Sequence, residues 1–262
     1  MTISPIQEMK YDYLAVSVYA DNESMGQAAA EAAAQAIQLA VAARGAASVV
    51  FASANSQLTL LKALRQMSGI HWTSVTAFHM DEYRWSDRNL PSGHPAGFAE
   101  FLRRHLLDHV RVRAFYPMPG HAGDVTVACR AYEMLLRAFP VDVCCLGIGE
   151  NGHIAFNDPP VADFVDPVWV KRTPLDPASR QQQVGEGHFA SLENVPTHAM
   201  TMTIPALRAA RTMLCIVPER RKAEAVRQAL LGPVSTACPA SILRQTPHCR
   251  LLLDREAASG LA

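Results

Sequence analysis

Short apolar runs alternate with segments of helical period along nearly the whole chain. Residues 14–19 (LAVSVY), 47–53 (ASVVFAS), 75–78, 141–148 (VDVCCLGI), 199–204, 212–217 and 250–253 read as strands. Helices are expected at 22–44, 57–67, 94–110, 123–139 and 219–230. The first of these has Asp21 or Asn22 as its cap and Gly45 as its stop. Several strands are apolar throughout, as strands buried on both faces are. The pattern predicts an α/β fold: a doubly wound, mostly parallel sheet with helices on both faces. Residues 1–262 read as one domain, without internal repeats or a linker. A polar loop is expected from Tyr83 to about Gly93, and the least regular stretch, 158–197, is expected to form a lid-like segment.

In such sheets ligands bind beyond the carboxyl ends of the strands. Three polar clusters directly follow predicted strands and should share that edge. Ser53-Ala54-Asn55-Ser56 opens a helix, where free N–H groups and hydroxyls suit an anion or simply cap the helix. Asp81 and Glu82 end an apolar strand; a partly desolvated carboxylate there is a candidate base. Alternation along a strand allows at most one of the two to face a ligand. Asn151-Gly152-His153 puts an imidazole on a turn, with Asp158 five residues on, placed to orient it or to tie down the loop. His71, His105, His109, His121, His198 and His248 call for no functional role.

Composition narrows the classes. Of 262 residues, 49% are hydrophobic and 18% charged, enough for a sizeable core. Lys+Arg and Asp+Glu are both 24, so the chain lacks the field of a general nucleic-acid binder, and no apolar run is long enough for a membrane span. The N-terminus lacks a signal-peptide pattern. The six cysteines include no C-x-x-C pair and read as reduced core thiols, which suits a cytoplasmic protein. No His/Cys spacing suggests a metal, and no dinucleotide fingerprint or nucleophile elbow is present.

Phe78-His79-Met80-Asp81-Glu82-Tyr83 and Gly149-x-Asn151-Gly152-His153-Ile154-Ala155-Phe156-Asn157-Asp158-Pro159 resemble the glucosamine-6-phosphate deaminase/isomerase family, and the likeness extends from about Val16 to Asp254. The related 6-phosphogluconolactonases share the fold but lack the I-A-F-N continuation. The resemblance implies a modified Rossmann-like fold, conversion of glucosamine 6-phosphate and water to fructose 6-phosphate and ammonia, and no metal or organic cofactor. It implies Asp81 as the base moving a proton between C1 and C2, and His153, flanked by Asn151 and Asp158, as the group that opens the ring. Ser53, Ala54, Asn55, Ser56 and Lys222 would hold the phosphate, with Glu82, Gly152 and Arg180 also at the substrate. The chain departs from the family in carrying Ala54-Asn55 for a Gly-Gly pair, and Asn151 and Asp158 where Asp and Glu are usual. The arginine expected in the stretch 179–185 is missing, with Arg180 or Arg172 as replacements. An isomerase or lactonase on another hexose phosphate, and a non-catalytic sugar-phosphate sensor, stand as alternatives. The partner expected is a small sugar phosphate, with neither nucleic acid nor membrane. The family contains hexamers and monomers, so a homo-oligomer stays open.

Overall fold

Side chains alternate between two buried faces along the central strands. In the strand Thr212–Val217, Met213, Cys215 and Val217 enter one core, and Leu214 and Ile216 the other. The computed structural model describes residues 3–85 and 93–261. Its main sheet is built from β1 (Gln7–Tyr11), β2 (Leu14–Tyr19), β3 (Ala47–Phe51), β4 (Val75–His79), β6 (Ala114–Tyr116), β7 (Val143–Leu146), β10 (Thr212–Val217) and β11 (Cys249–Asp254). The order is β1-β2-β11-β10-β7-β3-β4-β6, and every neighbouring pair is parallel except β1 with β2. From β3 the chain winds outward to β4 and β6; from β7 it winds the other way to β10 and β11. The reversal lies between β3 and β7, where such sheets hold ligands.

One face is covered by α1 (Asn22–Arg44), α2 (Leu58–Leu64) and α3 (Phe98–Leu102), which continues into a π-helical turn over Arg103–Leu107. The other carries α4 (Val125–Ala138), α6 (Ile204–Arg208), α7 (Ala223–Leu231) and the 3-10 turn Pro239–Gln245. α1 starts where the Asp21 carboxylate accepts the Ser24 N–H at 2.7 Å and stops at Gly45, whose φ of 74° lies in the left-handed region. Its buried stripe is mostly alanine, which brings the helix close to the sheet.

The structure departs from the sequence expectation in three places. β1 and β6 are edge strands, half-exposed and short or polar, so neither carries an apolar signal. The helix expected from His94 begins only at Phe98, because Pro95 and Gly97 precede it. The stretch 158–197 is more regular than expected. It contains β8 (Val170–Pro174) and α5 (Pro177–Gly185), and β8 pairs with β9 (His198–Met202), which pairs with β5 (Asp81–Tyr83), in a second, antiparallel sheet. α5 escaped notice because its inward stripe is polar. The loop expected from Tyr83 to Gly93 lies, over 86–92, outside the described residues. All six cysteines are free and buried. Among the described residues no helix is long and apolar enough to cross a membrane.

Candidate active site

The carboxyl ends of β3, β4, β7 and β10 open onto one cleft. Ser53, Ala54 and Ser56 line it after β3, Met80 and Asp81 after β4, Gly147, Gly149 and His153 after β7, and Lys222 after β10. Phe98, Phe156, Gln182, Gln183 and Glu186 also line it. The cleft holds about 570 Å³ of empty space, part of it open to solvent. Asp81 and His153, 72 residues apart in sequence (153 less 81), thus face a common space.

His153 is held from behind. Its Nδ1 lies 2.7 Å from Asn151 Oδ1 and 3.0 Å from both Asp158 Oδ1 and Ser179 Oγ. Acceptors crowd that nitrogen, so it carries the proton, and Nε2 has its lone pair free for chemistry in the cleft. Asp158 is 1% exposed, and burial alone would raise its pKa. Hydrogen bonds from His153, Ser179 and Asn151 outweigh that and hold it at about 2, so Asp158 is a fixed anion at neutral pH. Its Oδ1 also accepts from Asn151 Nδ2 at 3.0 Å, and its Oδ2 from the Asp176 N–H at 3.2 Å. The ring packs against Gly149, where a Cβ would stand 2.1 Å from the imidazole; only glycine fits. Gly152, at φ +82°, turns the chain, and a Cβ there would stand 2.7 Å from Cys238 Sγ.

Asp81 and Glu82 point to opposite faces of β5. Asp81, 8% exposed, lines the cleft. Burial, then the neighbouring Glu82 charge, pushes its pKa well above the ordinary carboxylate value, toward the range where it can take and return a proton. Glu82 turns away and caps α3, accepting the N–H groups of Tyr83, Phe98 and Ala99 at 2.9, 3.2 and 3.0 Å. Burial raises it to about 7 despite those donors.

At the other end, among the described residues, the N–H groups of Ala54, Asn55 and Ser56 make no hydrogen bond and the buried Ser53 Oγ has no partner. Lys222 is 3% exposed and has no ion-pair partner among the described residues. Burial lowers its pKa to about 8, although Glu186 opposes the shift. Glu186 is itself committed: against the upward push of burial, His188, Gln182 and Arg221 hold it at about 2. Arg221 is spent on Glu186, Glu150 and Glu219 at 3.0, 3.1 and 2.5 Å.

Of the residues predicted from sequence, Ser53, Ala54, Ser56, Asp81, His153 and Lys222 line the cleft, and Asn151 and Asp158 stand behind His153. Four do not face it. Glu82 is the helix cap just described, and Gly152 is the turn that presents His153. The Asn55 side chain is committed to the Glu186 carbonyl at 3.4 Å, which leaves this residue only its N–H. Arg180 donates to the carbonyls of Leu192 and Val195 at 2.6 and 3.0 Å, so it braces α5. Arg172 is exposed on β8. Sequence reasoning missed Ser179, Gln182, Gln183 and Glu186. They recur at i, i+3, i+4 and i+7, one face of α5, a stripe visible in the sequence but polar, inside the stretch read as irregular and lid-like.

A family model described as glucosamine-6-phosphate isomerases/6-phosphogluconolactonase matches residues 20–252. A glucosamine-6-phosphate deaminase of Bacillus cytotoxicus is 34% identical over 230 residues, 88% of this chain and 84% of that one. One of Bacillus thuringiensis is 36% identical over 208 residues, 79% of this chain and 76% of that one. A solved structure of a monomeric glucosamine-6-phosphate deaminase superposes with a TM-score of 0.83 at 28% identity, over 96% of this chain and all of that one. A 6-phosphogluconolactonase from Shewanella baltica, at 21% identity and a TM-score of 0.72 over 91% of this chain and 97% of that one, shares the fold. With 233 matched residues (20 to 252 inclusive) and relatives above 30% identity over most of the chain, the protein belongs to the glucosamine-6-phosphate isomerase/6-phosphogluconolactonase family.

Proposed function

We propose that the chain converts glucosamine 6-phosphate and water to fructose 6-phosphate and ammonia, an aldose–ketose isomerisation with loss of the amine. The observation that carries this reading is a buried carboxyl, Asp81, and an oriented imidazole, His153, lining one cleft that ends in unpartnered N–H groups and Lys222. The Bacillus relatives named as glucosamine-6-phosphate deaminases support it.

Each group has one task. The sugar's phosphate oxygens accept from the N–H groups of residues 54–56, the Ser53 and Ser56 hydroxyls and the Lys222 ammonium. His153 Nε2 takes the proton of the anomeric hydroxyl and returns one to the ring oxygen, so the ring opens to the aldehyde. Its imidazolium is stabilised meanwhile by the Asp158 anion. Asp81 removes the C2 proton and delivers it to C1 while the substrate's ammonium gives a proton to the C1 oxygen, which leaves a C2 iminium; water adds there and ammonia departs. Lactone hydrolysis needs only one base to activate water and no proton moved between carbons, so the pairing of a raised carboxyl with an oriented imidazole favours isomerisation. The test is an assay of purified protein with glucosamine 6-phosphate and with 6-phosphogluconolactone. Ammonia and a ketose phosphate from the first are expected; acid release from the second with none from the first would reverse the assignment.

A further inference from the structure

α5 carries a polar stripe into the cleft, and its first member never reaches the ligand space. Gln182, Gln183 and Glu186 line the cleft. Ser179, 2% exposed, stands behind the imidazole instead. Its hydroxyl donates to Asp158 Oδ1 at 2.5 Å, and its oxygen lies 3.0 Å from His153 Nδ1. One turn earlier, the N–H of the helix cap Asp176 donates to the other oxygen of the same carboxylate, at 3.2 Å. The amino end of α5 therefore grips Asp158 by both oxygens, while the imidazole leans on one of them.

We propose that Ser179 is a positioning residue: its hydroxyl fixes the Asp158 carboxylate against Nδ1 of His153, so that α5 supplies both cleft-lining side chains and the orientation of the imidazole. This deepens the function proposed above and rests on its reading of His153. The carboxylate at position 158 has a short side chain, and four donors share its two oxygens: Asn151 Nδ2, the Asp176 N–H, Ser179 Oγ and His153 Nδ1. Removing the Ser179 donor lets Asp158 rotate about its own Cα–Cβ bond and loosens the ring it holds. The charged groups facing the ring are Asp158 from behind and, around the cleft, Asp81, Lys222 and Glu186. None of the last three is touched by the substitution.

The test compares Ser179→Ala, Ser179→Cys and Ser179→Thr with the parent protein, each checked for an unchanged fold by its thermal midpoint. In Ser179→Ala, kcat for ammonia release falls about tenfold or more, the value of one well-placed hydrogen bond, while KM stays within about twofold. Ser179→Cys, with a weak donor of similar shape, behaves like Ser179→Ala; Ser179→Thr, which keeps the hydroxyl, recovers most of the loss. A kcat within about twofold of the parent in Ser179→Ala, a loss confined to KM, or a Cys variant equal to the parent overturns the proposal. A second readout does not depend on the substrate. The imidazole nitrogen signals of His153 in the ligand-free proteins, read at one neutral pH, report its tautomer: Ser179→Thr keeps the Nδ1–H form, and Ser179→Ala mixes in the Nε2–H form. Identical signals in Ser179→Ala and the parent overturn the contact. If no hexosamine phosphate is turned over by the parent protein, the functional reading has failed, and this tautomer readout still decides the role of Ser179.

Discussion

The two ends of the cleft are built on opposite plans. Behind His153 both carboxylate oxygens of Asp158 are satisfied by the protein, from Asn151, Asp176, Ser179 and the imidazole itself. At the anion end, among the described residues, the buried Lys222 has no ion-pair partner, the Ser53 hydroxyl has no hydrogen-bond partner, and three successive N–H groups make no hydrogen bond. Buried polar groups are normally paired within the fold. Where this chain pairs them, it fixes the direction of a proton-transfer group before any ligand arrives. Where it leaves them open, the proposed substrate's phosphate would supply the acceptors. Stability and function therefore run together at the imidazole end and against each other at the lysine end.

The sharpest break of that contrast is His153→Gln. It removes the proton shuttle, so kcat should fall by about 10²–10⁴-fold. It also leaves Asp158 short of one donor, so the thermal midpoint falls as well. A variant that loses activity while gaining stability would place His153 on the same plan as Lys222.

Lys222→Met is the converse. The loss of a charged hydrogen bond to phosphate should lower kcat/KM by about 10–100-fold, mostly through KM. The thermal midpoint should rise at neutral pH, since the fold no longer buries an ammonium. The sign follows from the lysine's pKa, about 8 against the ordinary 10.5. The folded state gives up this proton more readily than the unfolded chain, so the charged form is a cost to the fold below about pH 8. In the parent protein kcat/KM for the phosphorylated sugar should decline above about pH 8, as the free enzyme loses that charge. A pH–rate profile in which Lys222→Met keeps the same alkaline limb would remove the lysine from phosphate recognition.

Glu82→Gln should have the smallest catalytic effect, less than about threefold, because this carboxyl caps α3 and faces away from the cleft. Its signature is in stability. With a folded pKa of about 7 against 4.5, Glu82 contributes stability fully present below about pH 4.5 and lost as pH rises through 7. Thermal melts of the variant across that window should show a flatter decline than the parent, whose remaining slope of the same sign comes from Asp81. An unchanged slope would mean that Glu82 is not the buried acid its surroundings suggest.

Much of this arrangement was legible because it depends on local pattern. The apolar runs at β3, β7 and β10 and the caps Asp21 and Gly45 specify their elements within a few residues. The clusters at Ser53, Asp81 and His153 follow strands directly, and parallel topology then brings them to one edge. What stayed hidden depends on distant packing. The polar sequence of α5 looks solvated until the second sheet holds it over the cleft. Alternation on β5 showed that Asp81 and Glu82 must diverge, but only the N–H groups of α3 reveal which of the two is the cap. Arg180 looked like a phosphate ligand by position and is instead spent on the carbonyls that brace α5.

The central claim is that Asp81 moves a proton between two carbons of the sugar that His153 opens. Its most direct test is the formation of fructose 6-phosphate from glucosamine 6-phosphate in heavy water, with deuterium at C1 read by nuclear magnetic resonance, for the parent protein and Asp81→Asn. The parent should carry part of the C2 hydrogen to C1, with solvent deuterium in the rest through exchange on the carboxyl, and the folded variant should form product slower by about 10²–10⁴-fold. A variant that yields C1-deuterated product at close to the parent rate would contradict the account.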